Sequence, residues 1–496
     1  MSAGSQRSDG TRFLLDGRLV STGDQPCTMT VLEYLREVAH RTGTKEGCAE
    51  GDCGACTVVL GKLSADGNHV DYRAINSCIR FLPTIDGHEL VTVESLPSPD
   101  GTLHPVQQAL IDEHASQCGF CTPGFVMSLF ALYLQRGKAT REQVLEALSG
   151  NLCRCTGYRP IIAAGCRMHD YPAPDHWSRS APGAEARRAA LRSLRRGPSL
   201  RMPGFLAPRT LDELASAFAQ EPGALLLAGG TDIGLMVTKG LRELPTILYT
   251  GGVEELHALH KSATGLKIGA AVSLTDGWGA LVEAFPPVAE FAQRFGSPPI
   301  RNSGTLCGNL ATGSPIGDAT PVLMALGAEL ELRRGTHVRR LPLERFYLGY
   351  QKKDLQAGEF IVSVLVPPPR EDEWIGAYKI SKRFDQDISA ICAVFAVRVA
   401  QGRIVTARLA FGGMAAIVAR AVRTERALVG ATWSEASLVR ASACLAEDFT
   451  PLSDLRGSSA FRQESARNLL RRFYFEHTQS AVATRTAHAL AAVPSA

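Results

Sequence analysis

The sequence predicts an α+β protein built of several domains, and three observations carry that expectation. The chain has 496 residues, too many for one ordinary domain. It is 45% hydrophobic and 21% charged, so an average segment can bury a core and wholesale disorder is excluded. Its apolar periodicity also changes along the chain, from short strand-like runs with one helix, to purely helical spacing, to an alternation of both. The net charge of +4 is too mild to argue for a nucleic-acid partner, and the basic residues do not alternate with aromatics.

Met1 to Arg12 is polar and lacks the apolar core of a secretory signal. The longest apolar stretch, Ile388 to Val399, is too short to span a bilayer and carries Arg398, so the expectation is a soluble, cytoplasmic protein without a membrane partner. Phe13 to Val20 reads as two short strands around an Asp16-Gly17 type I′ turn. Thr30 and Glu33 make a capping box for a helix whose Val31, Leu32, Leu35, Val38 and Ala39 form one stripe, ending near Gly43. Thr57 to Leu60 is strand-like, which makes residues 10–95 a small mixed sheet with one helix.

From Leu103 to Ala164 the spacing is helical. Pro105 fits a first helical position, Pro123 opens a second run with Phe125, Leu129, Leu132 and Tyr133 on one face, and Thr140 with Gln143 caps a third that Gly150 closes. Residues 96–170 are therefore a helical domain. Residues 171–200 carry Pro172, Pro174 and Pro182 with Arg187, Arg188, Arg192, Arg195 and Arg196, and read as a solvated linker with some helix in preference to an interaction arm. Beyond 201, strand-like runs at Ala224–Ala228, Leu266–Ala270 and Phe360–Val366 alternate with helices and glycine loops. Pro367-Pro368-Pro369 marks a boundary between a domain at 201–370 and a last one at 371–485, with strands at Cys392–Val399 and Val405–Phe411.

Thirteen cysteines in a chain without an export signal call for metal or redox ligation in place of disulfides. Cys48, Cys53, Cys56 and the distant Cys78 follow the C-x4-C-x2-C…C spacing of plant-type [2Fe–2S] sites. Gly47, Gly51 and Gly54 permit positive φ and let backbone N–H groups point at sulfur. The alternative is a structural zinc site, although the x4-x2 triplet is unlike paired knuckles. Cys118 and Cys121, with Cys153 and Cys155 downstream, close a second four-thiolate site whose pairs precede helix N-termini; spacing alone leaves cluster and zinc both open there. Cys27, Cys166, Cys307, Cys392 and Cys444 lack partners at ligand spacing and read as small hydrophobes.

Leu226-Leu227-Ala228-Gly229-Gly230-Thr231-Asp232-Ile233 follows a strand-like run, and its glycines would let backbone amides approach a pyrophosphate. Neither G-x-G-x-x-G nor a Walker loop is present there. Asn302 to Thr312 is a second loop of small and hydroxyl residues, followed by Ser314-Pro315-Ile316-Gly317-Asp318. Taken singly, either loop is equally a plain turn.

The two cysteine sets, with Gln117-Cys118-Gly119-Phe120-Cys121-Thr122-Pro123-Gly124 and Asn151-Leu152-Cys153-Arg154-Cys155-Thr156-Gly157-Tyr158-Arg159-Pro160, resemble the iron–sulfur part of the molybdenum hydroxylases. The glycine loops resemble the FAD domain of the same family, and the likeness runs from about residue 10 to nearly the C-terminus in the layout of a xanthine dehydrogenase small subunit. The resemblance implies a ferredoxin-like β-grasp domain (10–95), a helical [2Fe–2S] domain (96–170), a linker (171–200), a two-part α/β FAD-binding domain distinct from Rossmann folds (201–370) and a C-terminal α+β domain of the flavoprotein part (371–485). It further implies that residues 226–233 with Thr305, Leu306, Cys307, Gly308 and Asn309 bind the FAD phosphates and ribityl chain. Phe295, which otherwise reads as core, would pack on the isoalloxazine, with Asp318, Ile361 and Lys379 as further contacts. Tyr378 to Ser389 resembles the family's flexible segment beside the flavin, where its charges would gate NAD or form a solvated loop.

By the same resemblance, a molybdopterin-binding large subunit oxidises hypoxanthine to xanthine and xanthine to urate, in a heterotetramer of two heterodimers. Electrons enter at the Cys118/Cys121/Cys153/Cys155 cluster, pass to the Cys48/Cys53/Cys56/Cys78 cluster and reach FAD, which reduces NAD+. No Ser/His/Asp or paired-carboxylate constellation is present, so no catalytic residue is expected in this chain. Two alternatives stay open: another molybdenum hydroxylase acting on an aldehyde or aromatic substrate with a different acceptor, and a zinc-stabilised scaffold. Ala49 stands where the family commonly has glycine, and its methyl is expected to fit with a negative φ.

Overall fold

The Asp16-Gly17 turn opens the first sheet, with φ of 51° and 78° at its two residues, both positive as a type I′ turn demands. The computed structural model describes residues 10–23, 25–177, 182–195, 197–478 and 484; most of the polar start, Arg196 and the alanine-rich tail lie outside the described residues. The chain divides into two compact units. The first runs to His257 and takes in Ser273–Thr275 and Gly296–Thr305, and the second holds Ala258–Val272, Asp276–Phe295 and the chain from Leu306. No helix among the described residues is long and apolar enough to cross a membrane.

In the first unit, β1 (Arg12–Leu15), β2 (Arg18–Ser21), β3 (Thr57–Leu63), β4 (Val70–Asn76) and β5 (Glu89–Val91) form a sheet of order β2-β1-β5-β3-β4. Only β1 and β5 pair in parallel, as a β-grasp requires. Alternate inward side chains, among them Phe13, Val58, Ile75 and Leu90, close on Val31 and Leu35 of the helical segment that the capping box starts. That segment continues as a π-helical turn, Tyr34–Val38, and ends before Gly43, because His40 takes a φ of 54° and the Arg41 N–H turns back to the Leu35 carbonyl.

Four helices follow: α1 (Pro105–Asp112), α2 (Thr122–Gln135), α3 (Arg141–Leu148) and α4 (Arg159–Arg167). Phe125, Leu129, Phe130, Val144 and Ile161 make their shared core, each worth about 2 kcal/mol on burial. The Thr140/Gln143 capping box starts α3, and Leu148 ends it two residues before Gly150.

The stretch expected to be a solvated linker with some helix does form a helix, α5 (Pro182–Leu194), but it docks on the first sheet in place of lying free. Its Leu191 and Leu194 pack on Leu14 and Leu63. Two of the arginines that suggested a free arm are anchors: Arg192 donates to the Gly67 carbonyl (2.8 Å) and Arg195 to the Ser64 carbonyl (2.6 Å). Arg187 Nε lies 3.0 Å from Oε1 of the fully buried Glu89, close enough to pair by charge although the angle is too oblique for a good hydrogen bond. The unit ends with β6 (Leu200–Met202), β7 (Phe205–Ala207), α6 (Leu211–Gln220), β8 (Leu225–Leu227), α7 (Ile233–Thr238), β9 (Ile247–Tyr249) and the short α8 (Pro298–Ser303). Its second sheet has the order β6-β7-β9-β8.

Besides a two-stranded sheet, Tyr347–Gly349 with Lys352–Lys353, the second unit holds two larger antiparallel sheets. One has the order β10 (Leu259–Ser262), β11 (Gly265–Gly269), β14 (Phe360–Val366), β12 (Glu329–Arg334) and β13 (His337–Pro342). The other runs β15 (Glu373–Ile380), β16 (Ile391–Ala400), β17 (Arg403–Gly412) and the short Ala419–Arg420. Phe395, Phe411 and Phe473 stack in its core, the last from the long helix Ser459–Glu476.

Desolvation raises the Glu89 carboxyl above its ordinary range, and Arg187 opposes that rise. Replacing Arg187 by methionine leaves a buried carboxylate unpaired and should cost about 3 kcal/mol near neutral pH. A folded pKa above the unfolded value means stability present at acid pH and lost as pH rises through the folded value. The deficit of Arg187→Met should therefore shrink on going from pH 8 to pH 5, measured as the difference in melting temperature from the parent; a deficit that grows toward acid pH contradicts the assignment.

Candidate functional site

Cys48, Cys53 and Cys56 lie on the irregular loop before β3, and Cys78 follows β4, so the sheet brings the distant fourth sulfur to the other three. Cys56 Sγ and Cys78 Sγ are 3.3 Å apart. The N–H groups of Asp52 and Cys53 point at Cys48 Sγ from 3.4 and 3.3 Å. Gly51 (φ 79°) and Gly54 (φ 71°) take the positive φ expected of them. Gly47 serves a different need, since a Cβ there would sit 2.8 Å from Cys53 Sγ. Ala49 departs from expectation: its φ is 54°, left-handed, a conformation that costs an L-residue about 1 kcal/mol relative to glycine.

The four thiols lie close enough to shift one another. Hydrogen bonds from Cys53 and then Cys78 hold Cys48 well below the usual thiol range, and Cys78 does the same for Cys56. Cys53 and Cys78 are raised, chiefly by donating to Cys48, with burial adding to both. A cationic iron centre would take the protons off all four. No group of three or more Cys, His, Asp or Glu side chains among the described residues is arranged for a single metal ion. The sulfurs of Cys56 and Cys78 touch, and glycines line the loop that carries Cys48, Cys53 and Cys56, so these residues fit an iron–sulfur cluster.

In the second set Cys121 caps α2, and the Cys153–Cys155 turn precedes α4. Burial, and then Cys153, push Cys121 up to about 12. Burial opposes ionisation of Cys153, but the Thr156 hydroxyl at 3.2 Å and the Thr156 N–H at 3.5 Å outweigh it and lower the thiol. Cys155 is raised by its bond to Cys118, and both of these are exposed.

The two sets are joined backbone to backbone. The Leu152 N–H donates to the Cys53 carbonyl at 2.9 Å, so one hydrogen bond separates a residue of the first set from the neighbour of Cys153. Asn151, buried, donates from Nδ2 to the Gly54 carbonyl (3.1 Å) and accepts at Oδ1 from the Ser128 hydroxyl (2.6 Å). A Cβ on Gly54 would meet the Gly150 oxygen at 2.2 Å, and one on Gly124 would meet the Gly54 oxygen at 2.2 Å, so only glycine allows this approach. Asn151 was legible in its motif but carried no role there; its amide is the plug between the loops.

The residues assigned to FAD divide between the units. In the first, β8 carries Leu226 and Leu227 into the Ala228-Gly229-Gly230-Thr231-Asp232 turn, which leads to Ile233 at the start of α7. A Cβ on Gly229 would meet the Ser303 oxygen at 2.1 Å, Gly230 has a φ of 78°, and a Cβ on Gly304 would meet Thr231 Oγ1 at 3.3 Å. The two glycine loops named from sequence therefore meet just ahead of Thr305. Their bare backbone is a cradle that a side chain would fill.

In the second unit Lys379 Nζ pairs with Asp318 Oδ2 at 2.8 Å, both buried, and the Ser389 hydroxyl donates to Asp318 Oδ1 at 2.7 Å. Phe295 is buried 5.5 Å from the Trp278 ring, and Ile361 lies on β14. Leu306, Cys307, Gly308 and Asn309 lie in the helix Leu306–Thr312. Burial pushes the Cys307 thiol up to about 12, and Asn309 Oδ1 is buried with no hydrogen-bond partner among the described residues. The glycine cradle of the first unit, which any side chain would fill, fits the phosphates of a dinucleotide such as FAD. Of the cysteines expected to be small hydrophobes, Cys307 and Cys392 are buried, whereas Cys27, Cys166 and Cys444 are partly exposed. Arg294 was not foreseen: its guanidinium lies over the Phe384 ring (4.8 Å) and donates to the Lys379 carbonyl and the Ser381 hydroxyl (both 3.0 Å), fixing the start of the charged segment.

Comparison with known proteins finds four family matches along the chain. Residues 13–81 match a 2Fe-2S iron-sulfur cluster binding domain, 92–166 a [2Fe-2S] binding domain, 200–369 the FAD binding domain in molybdopterin dehydrogenase, and 376–477 the CO dehydrogenase flavoprotein C-terminal domain. The chain is 32% identical to a xanthine dehydrogenase of Emericella nidulans over 94% of its own length and 38% of that protein. It is 30% identical to a xanthine dehydrogenase/oxidase of Gallus gallus over 95% of its length and 40% of that protein. It thus spans about two fifths of the curated relatives it matches. Among solved structures, quinoline 2-oxidoreductase from Pseudomonas putida 86 aligns at 27% identity and a TM-score of 0.50, over 55% of this chain and 96% of that one. Carbon monoxide dehydrogenase from Hydrogenophaga pseudoflava aligns at 25% and 0.51, over 54% and 94%.

Asn151→Ala takes one donor from the Gly54 carbonyl, which Thr57 still serves, and leaves the Ser128 hydroxyl without its Asn151 acceptor in a buried junction. It should cost about 2 kcal/mol, seen as a melting temperature several degrees below the parent. A variant that melts with the parent would deny the amide its role.

Proposed function

The chain belongs to the molybdenum hydroxylase family as the iron–sulfur and flavin portion of its enzymes, and we propose that it is the electron-transfer subunit of a xanthine dehydrogenase. In this reading a large partner subunit holds molybdopterin and oxidises hypoxanthine to xanthine and xanthine to urate, in a cytoplasmic heterotetramer of two heterodimers. The xanthine dehydrogenases among its relatives support that choice. The observation that carries the relay is the Leu152 N–H to Cys53 carbonyl hydrogen bond, which couples the two cysteine sets directly.

Cys48, Cys53, Cys56 and Cys78 would hold one [2Fe–2S] cluster and Cys118, Cys121, Cys153 and Cys155 the other. Residues 226–233 and 305–309, with Phe295, Asp318, Ile361 and Lys379, would hold FAD. When bound, the clusters would carry single electrons, and FAD would take up two of them with a proton and pass them as a hydride to NAD+. The protein sets the order through exposure. Cys118 and Cys155 are open to the surface beside the exposed Phe120 and Leu152, a face suited to a partner. Cys56 and Cys78 are buried, and the Ile79 carbonyl after them packs on Gly234 of α7, the helix that follows the 226–233 turn. Electrons entering at the outer set therefore reach the inner set before the flavin loop. The buried Lys379 ammonium, neutralised by Asp318, supplies a fixed charge pair for the flavin site.

The likeness to quinoline 2-oxidoreductase favours a second reading, an aromatic substrate with an acceptor other than NAD+. The complex of the chain with its partner decides between them: NADH formation from NAD+ and hypoxanthine is expected, and turnover with an artificial acceptor alone overturns the dehydrogenase assignment. Independently, Cys53→Ser should remove one iron–sulfur EPR signal, leave the other in place and slow flavin reduction by at least about tenfold. Two unchanged signals would remove Cys53 from the ligand set.

A further inference from the structure

Ala49 directly follows Cys48 and holds a φ of 54° without the freedom of a glycine. Something must hold it there, and the contact on the page is the Thr238 hydroxyl, which donates to the Ala49 carbonyl at 2.8 Å. The same hydroxyl lies 3.2 Å from its own helical acceptor, the Gly234 carbonyl, so the loop contact is the shorter of the two. Thr238 is the last residue of α7, and the next residue, Lys239, lies 3.7 Å from the Glu50 carboxylate. One turn back, Gly234 meets the Ile79 carbonyl so closely that a Cβ would come within 2.4 Å of it. One helix therefore touches the residues that follow two of the four cysteines, Cys48 and Cys78.

We propose that Thr238 is a positioning residue for the first iron–sulfur cluster, an inference that rests on the cluster reading above. Its hydroxyl fixes the Ala49 carbonyl, which keeps Ala49 left-handed. That in turn keeps the turn to Cys53 closed, with the Asp52 and Cys53 N–H groups aimed at Cys48 Sγ from 3.4 and 3.3 Å. N–H bonds to a ligand sulfur favour the more negative, reduced form of a cluster and so raise its potential. Without Thr238 the strained peptide relaxes by rotating, and those N–H groups leave the sulfur.

The test uses the full chain with its clusters and reads each by EPR, redox titration and iron release to a chelator. Thr238→Val should alter the first cluster's signal, make its potential more negative and speed its iron release about tenfold, leaving the second cluster's signal and potential in place. Thr238→Ser should restore the parent behaviour. Ala49→Gly removes the strain that Thr238 opposes, so Thr238→Val should have a clearly smaller effect in that background, a coupling that a merely structural loss would not show. An unaffected first cluster in Thr238→Val, a Thr238→Ser variant that fails to restore it, or equal effects of Thr238→Val in the parent and Ala49→Gly backgrounds overturns the proposal. A parent chain that gives no two cluster signals overturns the cluster reading itself, and this inference with it.

Discussion

Backbone contact between the two cysteine loops is the constraint on which the first unit depends. Electron exchange weakens steeply with separation, so loops carrying metal-binding sulfurs must approach more closely than side chains permit. Gly54, Gly124 and Gly150 supply that approach, and Leu152 spends its N–H on the Cys53 carbonyl. Such a junction buries polar backbone, and each buried group needs a partner. Asn151 joins Thr57 in donating to the Gly54 carbonyl, and Ser128, inside α2, donates to Asn151. The amide thereby ties the β-grasp sheet to the helical core, and the fold of either part is a condition for the geometry of the other's cysteines.

A comparable logic governs the second unit through charge. Burying Lys379 and Asp318 is costly for either alone, and the pair persists because each neutralises the other and Ser389 takes the remaining carboxylate oxygen. Arg294 adds a second fixed cation, half-buried, whose desolvation lowers it from the ordinary guanidinium range. Its bonds to Lys379 and Ser381 fix the start of the charged segment from the same side as Phe295 in sequence. The charges of that segment are thus partly committed to internal partners: Arg383 N–H and Ile388 N–H both point at the Asp387 carboxylate.

Local rules carried much of this architecture in the sequence. The Asp16-Gly17 turn, the capping boxes at Thr30 and Thr140, the Pro105 and Pro123 helix starts and both cysteine spacings depend on neighbours a few residues away, and pattern alone finds such features. What escaped was set by distant partners. The linker helix was read from its arginines as solvated, yet Leu191 and Leu194 and the anchoring carbonyls of Ser64 and Gly67 decide its place. A negative φ was the cheaper choice for Ala49 in isolation, and the loop around it imposes the opposite one. Arg294 stood next to the foreseen Phe295 and gave no sign of its role, because the groups it binds lie about ninety residues downstream.

The two cysteine sets also differ in what stabilises added charge. The outer set has exposed sulfurs at Cys118 and Cys155, where water or a covering surface supplies most of the dielectric response. The inner set has Cys56 and Cys78 buried, so response must come from fixed protein dipoles: the Asp52 and Cys53 N–H groups at Cys48 and the Asn76 amide 3.8 Å from Cys56. Covering the outer set changes its surroundings directly. The buried sulfurs of the inner set, Cys56 and Cys78, are shielded from that surface, and the dipoles around the set belong to its own loop and to β4. In the relay proposed above, the entrance would be tuned by whatever docks on the outer set, while the step nearer the flavin loop would be set by the chain itself.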